Sequence, residues 1–397
     1  MLQELEQALV KLINNRIYLD YNATAPLAKS VTDWFASGAL PFGNPSSIHS
    51  SGKLSKRLIN ETTDYLKRTF NLPYFEIFYH SGATEAINDV IKGFCFYSLA
   101  KKENFHVVAF ATDHSCVVNQ KEHIELLGGK FHTMNVDRNG MYDLNSVIEY
   151  IKKLDGDVLL NFTHVNNETG VIWPIADATK IKNETNCFVH VDAVQLIGKT
   201  DSSLHLDSEI DFYTFSGHKF GAMKGVGFSF AKERLIHWCA LIRGGGQQAG
   251  MRSGTENVHG IYSLKLALVE LLANFKPQEL KDARDFVENS LTQNFKERIT
   301  ITAADADFRN LNTIYLVVHG AKTDILITAF DMAQIDLSSG SACSSGAVKP
   351  SRVLLAMGYS EEEAKSSIRI SFPYSFSMEE AQTLSPKLNS ILSRFLK

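Results

Sequence analysis

Nothing in the sequence stays apolar for long enough to cross a bilayer, and no two cysteines stand at CxxC spacing. The five cysteines, Cys95, Cys116, Cys187, Cys239 and Cys343, are odd in number and widely spread, which argues against a disulfide framework or a structural zinc site. The thirteen histidines show no HExxH or comparable ligand spacing, so no metal is expected. No tract of Pro, Gly and Ser and no run of one charge sign suggests disorder. A formal net charge of -4 with dispersed Lys and Arg lacks the basic stripe of a DNA-binding protein. No internal repeat at solenoid or propeller spacing is visible.

What is present is a chain of 397 residues, 44% hydrophobic and 21% charged, enough for a large domain and a smaller one. Leu2, Leu5, Leu9, Leu12 and Ile13 repeat at helical spacing around Glu4 and Glu6, so the N-terminus reads as an amphipathic helix and not a signal peptide or presequence. A cytoplasmic protein with no membrane contact is expected. Short apolar runs such as EIFYH, HVVAFA, VLLNFTHV, CFVHVDA and DFYTFS alternate with helical patterns, which predicts an α/β fold with a mainly parallel sheet. The expected division is an N-terminal helix and lead-in over residues 1–24 that belong with the small domain, a large domain over 25–265 and a small C-terminal α/β domain over 266–397.

Open α/β sheets bind ligands at the carboxyl ends of their strands, and several runs end there in polar residues. SFSGHKF places Ser216, His218 and Lys219 after one strand; HVDAVQ places Asp192 and Gln195 after another. Lys219 could form a Schiff base or be a solvated surface charge. Asp192 could pair with a cationic ring nitrogen or cap a helix. SGATE offers Ser81, Gly82, Ala83 and Thr84 to a phosphate, or simply starts a helix. His114 in TDHSC could stack on a flat ring and move protons, or be structural. Asn44, Asn166 and Asn167 are turn formers that could equally present an amide to a substrate.

Taken together, HVDAVQ, SFSGHK, SGATE, GNPSS, VNNETG, GGGQQAGMRSGT and SSGSACSSG resemble the motifs of class V aminotransferase-fold enzymes, specifically the cysteine desulfurases of the NifS-like group. The resemblance implies the type I fold of pyridoxal-phosphate-dependent transferases, with Lys219 holding the cofactor covalently, Asp192 on its pyridine nitrogen and His114 over its ring. It also implies Gln195 and Asn167 near the cofactor hydroxyl and the bound amino acid. Ala83, Thr84, Ser216 and His218 would take the phosphate, and Thr255 would reach the cofactor phosphate of a neighbouring subunit in a homodimer. Arg369, aided by Asn44, would clamp the substrate carboxylate.

Cys343, in a Ser/Gly-rich stretch whose composition predicts a mobile loop, would collect the sulfur of L-cysteine as a persulfide and pass it to an acceptor protein. L-Alanine would be the co-product, and the sulfur would serve iron–sulfur cluster assembly or the thiolation of a cofactor or tRNA. The other four cysteines read as structural. The chain departs from the family pattern at Ala25, Ala222, Met223, Gln248, Ala249, Pro373 and Tyr374. Two alternatives stay open: another enzyme of the same fold, such as a selenocysteine lyase or an aminotransferase, and a non-catalytic assembly protein that keeps the cofactor site.

Overall fold

The computed structural model describes residues 16–201, 204–238, 240–339 and 349–396. The expected N-terminal helix, Cys239 and Cys343 lie outside them.

The large sheet is built from β1 (Phe75–His80), β2 (Phe105–Phe110), β3 (Lys130–Met134), β4 (Asp157–Thr163), β5 (Phe188–Asp192), β6 (Phe212–Ser216) and β7 (Gly227–Lys232). Their spatial order is β1-β7-β6-β5-β4-β2-β3. The central pairs are parallel, and only β7 runs against its neighbours β1 and β6. A parallel sheet is covered by helices on both faces, which is why its strands are continuously apolar instead of alternating. All six residues of β2 are buried, as are all but the first residue of β4. Beneath β6 and β7, Phe70, Phe215, Phe228 and Phe230 form one aromatic cluster, with Phe215 stacked on Phe228 at 4.7 Å between ring centres.

A second, antiparallel sheet joins β8 (Ile299–Ile301), β9 (Thr313–Val318) and β10 (Ser367–Ser371) in the order β10-β9-β8. Alternation along β9 sends Tyr315 and Val317 into the core shared with the large sheet, and Ile314, Leu316 and Val318 into a separate core. That second core is completed by the helices Pro277–Phe295 and Met378–Leu392 and by Leu19. The helix Val258–Asn274 runs through residue 265 and packs on the large core as far as Leu271. Because Arg369 pairs with Tyr315 across β10 and β9, it stands on the face turned toward the large sheet.

Candidate active site

The carboxyl ends of β1, β2, β4, β5 and β6 converge on a cavity of about 510 Å³. It is lined by Ser81, Gly82, Ala83 and Thr84 after β1, His114 and Cys116 after β2, and Thr163 and Asn167 at the end of β4. Asp192 and Gln195 close it from β5, and Ser216, His218 and Lys219 from β6. Nine residues expected at a cofactor site therefore meet in one place: Lys219, Asp192, Gln195, Asn167, Ala83, Thr84, Ser216, His218 and His114.

Lys219 ends a short turn, Gly217–Lys219, that follows β6 directly. A Cβ on Gly217 would come within 2.7 Å of Leu264, so glycine permits this close turn. The Lys219 amine donates to the carbonyls of Asn22 at 2.7 Å and Ala23 at 2.8 Å. Burial, followed by the charge of Arg369, pulls it down to about 8, while Asp20 and Asp192 oppose the shift. An amine so placed is a nucleophile and base near neutrality.

Asp192 is 7% exposed, and its carboxylate accepts from the Val194 N–H at 3.0 Å. Burial pushes it up to about 6 against that hydrogen bond and the Lys219 charge. Behind it, Asp113 is fully buried and accepts from Phe110 N, Asn161 Nδ2 and Thr163 Oγ1; burial first, and Asp192's charge last, hold it near 6 as well. A buried carboxylate bordering a cavity suits a cationic partner there.

His114 caps a single helical turn, its Nδ1 accepting from Cys116 N–H at 3.2 Å. A neutral ring that accepts at Nδ1 carries its proton on Nε2. Burial, then Lys219 and Arg352, favour that neutral form. His218 is likewise driven down to about 4, chiefly by burial, and its Nδ1 lies 3.1 Å from Thr24 Oγ1.

The helix Ala83–Lys101 points its first turn into the cavity, and Gly82 before it provides no side-chain cap. Its amides, with the hydroxyls of Thr84 and Ser216, suit a phosphate. An amine that is a ready nucleophile, a carboxylate for a ring nitrogen and an anion cradle in one cavity fit pyridoxal phosphate.

The two adjacent asparagines separate cleanly. Asn166 spends its Oδ1 on Glu168 N, Thr169 N and Thr169 Oγ1, so it builds the turn, while Asn167 lines the cavity. Arg369, 3% exposed, is not among the residues that line the cavity, but it donates to the carbonyl of Asn167, which does, at 2.9 Å and pairs with Asp20 at 2.7 Å. Asn44 is exposed and outside the cavity: its Oδ1 closes its own turn by accepting from Ser46 N at 2.9 Å. Thr255 is also exposed and outside it.

Cys95 and Cys187 are buried, as structural cysteines should be, but Cys116 is not one of them. It lines the cavity with its sulfur 3.0 Å from His114 Nδ1, and burial pushes the thiol well above its ordinary range. Sequence reasoning also missed Asp20, Asn22 and Lys199. Asn22 is 1% exposed; its carbonyl seats Lys219, and its side chain donates to Asn167 O and Thr313 Oγ1. The polar cluster after the first apolar run, DYNAT, was the available signal.

One departure from the family pattern is explained locally. Gln248 Oε1 accepts from Tyr79 N, and its Nε2 donates to Tyr79 O at 3.0 Å and to Arg252 O at 3.2 Å. The amide thus completes the hydrogen bonding of edge strand β1, which a glutamate at this position could do only by halves. Gln248 and Ala249 both take positive φ, each 55°.

Comparison with known proteins follows the same outline. The family described as aminotransferase class-V matches residues 17–384. The cysteine desulfurase IscS of Buchnera aphidicola is 33% identical over 386 residues, covering 93% of this chain and 91% of that one. The solved NifS-like protein from Rickettsia africae superposes with a TM-score of 0.82 at 26% identity, covering 96% of this chain and 100% of that one. The structure of SspA in complex with cysteine gives a TM-score of 0.76 at 28% identity, covering 90% and 99%. On matches spanning nearly its whole length, the chain belongs to the aminotransferase class-V family, in its NifS/IscS-like branch.

Proposed function

We propose that this chain is a pyridoxal-phosphate-dependent cysteine desulfurase that converts L-cysteine to L-alanine and collects the sulfur on Cys343. The observation that carries this reading is the Lys219 amine, seated on the Asn22 and Ala23 carbonyls and lining the same cavity as the buried carboxylate of Asp192, in a chain of this family.

Bound pyridoxal phosphate supplies a carbonyl for amine capture and an electron sink for the substrate. Lys219 would hold it, Asp192 would keep its ring nitrogen protonated, and Ala83, Thr84, Ser216 and His218 would take its phosphate. Gln195 and Asn167 would meet its hydroxyl and the amino acid. Arg369 would meet the substrate carboxylate, its fork already oriented by Asp20 and the Asn167 carbonyl. Lys219, free as an amine, would take the proton from the substrate Cα and return it. His114, with its proton on Nε2, would exchange protons with the substrate sulfur. The Cys343 thiolate would attack that sulfur, the Cβ–S bond would break, and the proton of the thiol would end on alanine. The net change, Cys343–SH plus L-cysteine to Cys343–S–SH plus L-alanine, balances without an added oxidant.

Thr255 and Asn44 lie outside the cavity of their own chain, and Phe42 and Ile48 near Asn44 are 89% and 90% exposed. We read this face as the contact of a homodimer, in which Thr255 serves the neighbouring site. Free Cys95, Cys116 and Cys187 suit a reducing, cytoplasmic setting. Among the described residues no single helix is long and apolar enough to cross a membrane. The sulfur would pass to an acceptor protein.

Alanine released from L-cysteine by the loaded protein, with Cys343→Ala beside it under reductant, tests the reading. Alanine from the wild type and little from the variant is expected. Equal release would make Cys343 incidental and favour another lyase of this fold; none from either would favour a non-catalytic role.

A further inference from the structure

A second lysine is buried beside the first. Lys199 is 3% exposed, and among the described residues its amine has one hydrogen-bond acceptor, Gln195 Oε1. No carboxylate pairs with it there, and the nearest charges that act on it, Lys219 and Arg369, are of its own sign. Burial and those neighbours pull it well below the ordinary lysine range, and in either form its amine donates to Gln195 Oε1.

That donor on one side and the Asn22 carbonyl, which can only accept, on the other fix how the Gln195 amide lies. With Oε1 turned to Lys199, the NH2 group must take the other side, where it donates to Asn22 O at 2.9 Å and borders the cavity. The same Asn22 carbonyl accepts from Lys219 at 2.7 Å. Asn22 is fixed in turn by Thr313, Asn312 and the Asn167 carbonyl, which also receives Arg369. A run of hydrogen bonds therefore leads from Lys199 through Gln195 and Asn22 to the reactive amine. Ala25 and Tyr374, which the sequence reading set apart from the family pattern, border the same small void as Lys199 and Lys219.

We propose that Lys199 is a positioning residue of the active site, holding the Gln195 amide so that its NH2 group faces the cavity and the carbonyl that seats Lys219. A packing role alone would be better served by methionine, which has similar length and no amine to desolvate. The inference rests on the reading of the cavity as a pyridoxal phosphate site.

The test uses the purified full chain, stripped of cofactor, as wild type, Lys199→Met, Gln195→Met and the double variant. Melting temperature and affinity for pyridoxal phosphate are measured, and then kcat and KM for L-cysteine on the reloaded proteins. Lys199→Met should melt at or above the wild-type temperature yet bind pyridoxal phosphate roughly tenfold more weakly, the loss expected for one misplaced donor. In the Gln195→Met background the same substitution should change affinity by less than about twofold, because the residue it acts through is gone. A lower melting temperature with equal losses in both backgrounds would make Lys199 structural and overturn the proposal. Unchanged affinity and kcat/KM would do so too. A wild type that binds no pyridoxal phosphate would overturn the cofactor reading and this inference with it.

Discussion

The amine of Lys219 should titrate near pH 8 in the cofactor-free protein, far below the ordinary 10.5 of a lysine. A drop of that size raises the free-amine fraction at pH 7 from about 1 in 3,000 to about 1 in 10, a gain of roughly 300-fold, equivalent to about 3 kcal/mol. Reaction with an amine-acylating reagent over a pH series, with the Lys219 peptide quantified by mass spectrometry, would give the midpoint directly. Lys29 is an internal reference, since its hydrogen bond to Asp33 raises it and it should react only at higher pH. The second cause of the shift is the charge of Arg369, so Arg369→Gln should move the Lys219 midpoint upward, helped by an Asp20 carboxylate released from its partner. Stability follows the same linkage. Below pH 8 Lys219 is charged in both folded and unfolded chains, and the folded form bears the full cost of its burial. Between about 8 and 10.5 only the unfolded chain keeps the proton, so stability should rise with pH across that window. A Lys219 midpoint near 10.5, or one indifferent to Arg369→Gln, would refute this account of how the amine is activated.

Asp192→Asn removes a carboxylate that is charged at a cost above about pH 6, so the cofactor-free protein should gain roughly 1–3 kcal/mol at pH 7 in denaturant unfolding while its affinity for pyridoxal phosphate falls. A variant that lost stability would contradict the cost assigned to that burial. Cys116 should alkylate slowly at pH 7 in the cofactor-free protein, because burial keeps its thiol protonated, and more slowly still once pyridoxal phosphate is bound; equal rates in the two forms would place it outside the cofactor's footprint. Gln248→Glu leaves Tyr79 O and Arg252 O without their donor and should cost about 1–2 kcal/mol in chemical denaturation, and no loss would show that water replaces the amide freely.

The residues legible from sequence share one property: each is a polar side chain standing directly after an apolar strand. HVVAFA became β2 and delivered His114; FVHVD became β5 and delivered Asp192; FYTFS became β6 and delivered Ser216 and Lys219. In these places local pattern and tertiary position coincide, because a parallel sheet brings its strand ends together whatever the connecting helices contain. Residue pattern alone did not separate Asn166 from Asn167, and only the family resemblance pointed to Asn167, since the choice between them depends on which one closes the turn over Thr169. Cys116 was misread because two positions after His114 its apolar neighbours look like core, yet the one-turn helix rotates its sulfur back onto the imidazole. Asn22 and Lys199 lay further out of reach. Asn22 acts on Lys219 through a backbone carbonyl 197 residues away in sequence, and every residue type carries such a carbonyl. Lys199 looks in sequence like any lysine after a glycine; only its burial and its hydrogen bond to Gln195 mark it as part of the site. The chemistry-bearing side chains are therefore announced by pattern, whereas the groups that aim them are fixed by long-range packing, and substitutions at Asn22 or Lys199 test the structure more sharply than substitutions at the residues the motifs already name.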